Sequence, residues 1–105
     1  MKFEELTSYA KEEHERQTIR YNNKNDPKTK YTIFAKLIEE VGELSEAILT
    51  NDNLQRSSKL KNSKIDLEGE LADVISCTLI LAQELNVNME KALKEKITKN
   101  KARQY

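Results

Sequence analysis

Glycine occurs twice and proline once in 105 residues. The chain therefore has little of the punctuation that hairpins and tight turns need, and its composition favours long helices. Tryptophan is absent and cysteine occurs once, as Cys77. One cysteine excludes an internal disulfide and fits a reducing compartment. Neither sign of charge is in surplus: 18 Lys and Arg face 18 Asp and Glu, a formal net charge of +0. That argues against a nucleic-acid polymer as partner, because such binding needs a basic excess to neutralise phosphates. No apolar run reaches the ~18 residues that span a bilayer, so no membrane partner is expected. The opening MKFEELTSYAKEE carries acids early and has no apolar stretch, unlike a signal peptide. The expectation is a soluble cytoplasmic protein.

What is present is charge. Charged residues make up 34% of the chain and hydrophobic ones only 37%, with a mean hydropathy of -0.79. A core built from so little must be narrow or shared between subunits. The length suits a single domain over residues 1–105. Four helical segments are legible. The first runs from about Phe3 to Tyr21, with a weak stripe of Phe3, Leu6, Tyr9, Ala10 and Ile19. NNKNDPKTK then reads as a loop. The second runs from about Tyr31 to Thr50, where Phe34, Leu37, Val41, Leu44 and Ile48 recur at three- and four-residue intervals and form one apolar stripe. TNDNLQRSSKLKNS is polar and irregular and reads as a second loop. The third helix spans about Lys64 to Leu85. Asn86-Val87-Asn88 breaks it, and Asn88 caps a fourth helix from Met89 to about Lys99.

Within the third helix, LADVISCTLILA (71–82) is the most apolar run of the chain, yet it contains Asp73. At 100° per residue its apolar side chains point all round the cylinder, which marks a helix buried on every side. Three partner helices from so short a chain could hardly cover it, so a second copy is expected on one face. Asp73 then emerges near Cys77 and Ile80, away from a solvated stripe. A buried carboxylate needs a cation. Glu70, three residues earlier on the same face, only adds repulsion. The partner must be an Arg or Lys, or a metal ion.

The second helix repeats the pattern in KLIEEVGELSEAI. Glu40 and Glu43 are three apart, with Glu39 and Glu46 near. Glu40 falls at the margin of the apolar stripe beside Leu44, while Glu39, Glu43 and Glu46 sit towards the polar side. Two such helices side by side would gather four carboxylates. Hard oxygen ligands without His or Cys suit Mg²⁺ or Mn²⁺. A di-iron bundle would want Glu-x-x-His pairs, and the only histidine, His14, lies in another segment. Carboxylates with magnesium on a bundle wall can hold a phosphate chain and activate water on it.

At these residues the chain resembles the MazG-like all-α nucleoside triphosphate pyrophosphohydrolases, which include the dCTP pyrophosphatases, the dimeric dUTPases and, more distantly, the phosphoribosyl-ATP pyrophosphohydrolases. The motifs are Glu39-Glu40-x-x-Glu43 on one helix and Glu70-x-x-Asp73 on the next. An apolar helix follows the second motif, and the tail reads Lys-x-x-x-Asn-x-x-Arg. The likeness covers about Tyr31 to Tyr105. It implies an all-α, four-helix MazG-like bundle whose core is completed by homodimerisation, with a homotetramer as a dimer of dimers in some relatives. It also implies cleavage of a nucleoside triphosphate into a monophosphate and pyrophosphate, in nucleotide-pool house-cleaning. By motif position, Glu40, Glu43, Glu70 and Asp73 would hold Mg²⁺, with Mn²⁺ as a substitute. Glu39 and Glu40 would serve catalysis, Glu39 by orienting or deprotonating the attacking water. Lys96, Asn100 and Arg103 would reach the phosphates. Relatives that prefer dCTP stack its base on tryptophan. Here Tyr31, Phe34 or Tyr21 would have to substitute, and the base stays open.

Plainer readings stand beside these. The helix acids could form a solvated face, with Glu46 the residue that best fits one. Glu70 and Asp73 could be neutralised by lysine or arginine, making the chain a non-enzymatic helical interaction module. Phosphoribosyl-ATP is the rival substrate. Cys77 reads as a small core residue, His14 as a surface residue, and Lys94, Lys96, Lys99, Lys101 and Arg103 also suit a basic helix end complementing its dipole.

Overall fold

The computed structural model of the chain describes residues 1–20, 26–52 and 66–104. These residues form α1 (Phe3–Arg20), α2 (Pro27–Asn51), α3 (Leu67–Glu84) and α4 (Met89–Ala102), with no strand among them. The all-α reading holds. No helix of the described residues is long and apolar enough to cross a membrane.

Helix ends are set by local chemistry. α2 begins four residues before the expected Tyr31, because Asp26 is its N-cap and accepts the Lys28 N–H at 2.8 Å. Pro27 sits in the first turn, where a missing N–H costs nothing. The Asp-Pro pair that reads as a loop is thus a helix start. α3 starts at Leu67 under the N-cap Asp66, whose carboxylate accepts the Gly69 N–H at 2.9 Å. A Cβ at position 69 would run into that carboxylate, so glycine there lets the cap close. The first-turn acids Glu68 and Glu70 complement the helix dipole. At its other end, Val87 N–H donates to Ala82 O at 2.9 Å and Asn86 N–H to Gln83 O at 3.2 Å. Asn86 has φ 57°. This is a Schellman stop with asparagine in the left-handed position. Asn88 then caps α4 as expected, accepting the Lys91 N–H at 3.1 Å.

α1 and α2 both pack on α3. Ala10, Ile33, Leu79 and Ile80 form the core, with Phe3, Leu6, Leu81 and Met89 against it. Ile33 meets the C-terminal half of α3, while Glu40 and Glu43 lie with Glu70 at its N-terminal end. α2 and α3 are therefore antiparallel. α4 joins the core through Met89.

The apolar stripe expected to bury α2 is mostly outside. Phe34, Val41 and Ile48 are exposed, and the buried positions are Thr29, Ile33, Glu40 and Thr50. The apolar surface of α2 is wider than one stripe, and α3 covers only the side that carries Ile33 and Glu40. α3 buries Cys77, Leu79, Ile80 and Ala82 and leaves Leu71 and Ile75 exposed. His14 is not a surface residue: its Nε2 lies 3.2 Å from Glu84 Oε1, and both side chains are largely covered. This pair fastens α1 to the end of α3.

Candidate metal centre

One turn of α2 carries Glu40 and Glu43, and the first turn of α3 carries Glu70. The antiparallel packing brings one carboxylate oxygen from each residue within 4.8 Å of the others. Their surroundings differ. Glu40 is buried, Glu70 half-buried and Glu43 exposed. Glu40 Oε2 and Glu70 Oε2 are buried and have no hydrogen-bond partner. Such oxygens are costly without a cation.

Electrostatics register the crowding. The Glu40 carboxylate beside it raises the pKa of Glu43 above the ordinary glutamate value, with desolvation and Glu70 adding to the shift. Lys36 supplies the nearest positive charge, with Nζ 3.1 Å from Glu40 Oε1 and 3.6 Å from Glu39 Oε2. The hydrogen bond to Glu40 raises the Lys36 pKa, against an opposing desolvation. Burial first, and the Glu40 charge second, push the Cys77 thiol up. That is the reverse of an activated nucleophile, and Cys77 is a core residue as its sequence context suggests.

Of the residues the sequence singles out, Glu40, Glu43 and Glu70 come together, and Glu39 joins them through Lys36. Asp73 does not join the three. It is exposed on α3 within the single chain. Lys96, Asn100 and Arg103 are exposed on α4 or at its C-cap. Tyr31 and Phe34 are exposed on the outer side of α2, with Lys30 Nζ 5.2 Å from the Tyr31 ring centroid. Tyr21 and the LQRSSKLKNS segment lie outside the described residues. The residue missed in the sequence is Lys36. Its signal was there, since a lysine four residues before a buried glutamate shares its helix face.

The donor set fits a hard divalent cation. It offers three carboxylates, two of them with an unsatisfied inner oxygen, and no imidazole or thiolate. Comparison with curated proteins and with solved structures gave no match. The family model for the MazG nucleotide pyrophosphohydrolase domain matches residues 28–105, a span that holds all three converging acids. The chain belongs to the MazG nucleotide pyrophosphohydrolase family.

Proposed function

We propose that this protein is a cytoplasmic, Mg²⁺-dependent hydrolase that cleaves a nucleoside triphosphate, a deoxynucleotide or non-canonical one, into the monophosphate and pyrophosphate. The observation that carries the reading is the convergence of Glu40, Glu43 and Glu70 with two buried, unpartnered oxygens. These three residues would hold the cation, and Asp73, one turn further along α3, adds a carboxylate at the solvent side. Mn²⁺ would substitute. With the divalent ion bound, the phosphate charge is screened and water is made acidic enough to attack. Attack falls on the α-phosphorus, and the bond to the α–β bridging oxygen breaks. Glu39, exposed beside the cluster, takes the proton of the attacking water. Lys96 and Asn100, four apart on one face of α4, and Arg103 at its C-cap, would meet the phosphates. Tyr31 or Phe34 would stack the base.

Residues 1–105 act as one domain, and two copies pair through the outer faces of α2 and α3, with a dimer of dimers as the next assembly. Ile38 and Val41 on α2, with Leu71 and Ile75 on α3, support this as large exposed apolar side chains.

The Lys36–Glu40 pair favours a second reading, in which the acids are ion-paired structural groups of an interaction module. Pyrophosphate release from a panel of nucleotides, including phosphoribosyl-ATP, with Mg²⁺ and with a chelator, separates the two. The hydrolase reading requires release that depends on the metal and falls to the chelated background in Glu40→Gln and Asp73→Asn. A chain that binds no divalent cation and releases no pyrophosphate from any nucleotide is the interaction module.

A further inference from the structure

Glu40 is the most buried carboxylate of the cluster, at 6% exposure. Its two oxygens have different fates. Oε1 receives the Lys36 ammonium at 3.1 Å, while Oε2 is buried with no partner. The lysine supports the helix less than the reverse order would, because a basic residue four positions before an acid is the weaker orientation of such a pair. It is also not locked. Its side chain is 41% exposed, and Glu39 Oε2 lies 3.6 Å from the same Nζ on a 67% exposed side chain. A flexible four-carbon stem thus reaches two carboxylates, one inside the cluster and one outside it.

A divalent ion on the three converging oxygens would stand within a few ångströms of this ammonium. Like charges at that range repel strongly unless solvent screens them. Glu39 offers the ammonium a partner further from the cluster. We infer that Lys36 is the resident counter-ion of Glu40, and that a divalent cation exchanges with it there, displacing the ammonium onto Glu39. The inference rests on the metal-centre reading above and adds to it a competitor carried by the chain itself. Lys36 holds the buried carboxylate in place before metal arrives, and it sets the metal concentration at which the site fills.

Titration with Mn²⁺, read by calorimetry on the full chain, tests the exchange. Lys36→Met should bind Mn²⁺ about tenfold more tightly than wild type, allowing for solvent screening of a half-exposed charge. Lys36→Arg, which keeps the charge, should stay within about twofold of wild type. Lys36→Gln replaces the methionine variant if that one does not fold. Without metal, thermal unfolding of Lys36→Met should fall below wild type, and saturating Mn²⁺ should narrow the gap. Mn²⁺ affinity that is unchanged or weaker in both neutral variants overturns the exchange while leaving the metal centre standing. No Mn²⁺ binding to wild type, or binding unaltered by Glu40→Gln, removes the metal centre and the exchange with it.

Discussion

A glutamate that is almost wholly buried, with one oxygen on a lysine and the other on nothing, is the most telling single residue in the molecule. Its neighbour Glu43 carries the consequence. The pKa of Glu43 is raised by the Glu40 charge, so the folded chain holds that proton more tightly than the unfolded chain does. The sign follows from linkage. The contribution of Glu43 to stability is fully present below the ordinary glutamate pKa of about 4.3. It is lost as pH rises through the raised value. In chelator, Glu43→Gln should therefore lose less stability than wild type as pH goes from 4 to 7, read by thermal unfolding. Saturating Mg²⁺ should flatten the wild-type dependence, because the cation replaces the missing proton and stabilises the folded state by mass action. Equal pH slopes in chelator for wild type and Glu43→Gln would mean that the carboxylates do not repel. Ile33 is the apolar counterpart, at 1% exposure in the core. Ile33→Ala should cost about 2–5 kcal/mol in denaturant unfolding, a large share of what so small a core can supply.

At the level of elements, the architecture is fixed by two helix starts and one helix stop. Asp26 and Asp66 fix where α2 and α3 begin. The Asp66 cap, closing over Gly69, seats Glu70 in the first turn opposite Glu43. Asp66→Ala should cost about 1 kcal/mol of stability and, on the proposed function, weaken Mg²⁺ binding with it, since the residue next to the capped amide is one of the three converging acids. The stop lies at Asn86, whose φ of 57° suits asparagine and glycine but not a branched side chain. Asn86→Val should destabilise the chain by about 1–2 kcal/mol, while Asn86→Gly should be neutral or better. Comparing the two variants by thermal unfolding checks that the effect is backbone conformation and not a lost side-chain contact.

At the scale of the whole molecule, the dimensions are those of an open assembly. The radius of gyration is 16.7 Å, against about 13 Å for a compact chain of this length. The exposed apolar positions on α2 and α3 lie on the side that α1 does not reach. If two copies share that side, Ile75→Glu, at a position now 59% exposed, should shift the protein towards the monomer in light scattering after gel filtration. It should leave the helix content intact. A wild-type mass equal to the 12.2 kDa of one chain would remove the proposed pairing.

The sequence by itself determined the all-helical class, the approximate place of each helix, and the acids that matter on α2 and the first turn of α3. Two Gly and one Pro in 105 residues leave the chain little else to form, and a motif spaced by three residues stays on one helix face however the helix packs. Tertiary structure alone decided which side of each helix turns inward. Phe34, Val41 and Ile48 read as a core stripe and stand outside, and His14 reads as surface and bridges to Glu84. The physical reason is common to both. Periodicity fixes angles within a helix, but the rotation of that helix against its neighbour follows from the whole set of contacts. Here α3 took the side of α2 that carries Ile33 and Glu40, and with it the Lys36–Glu40 pair that the spacing of α2 already sets.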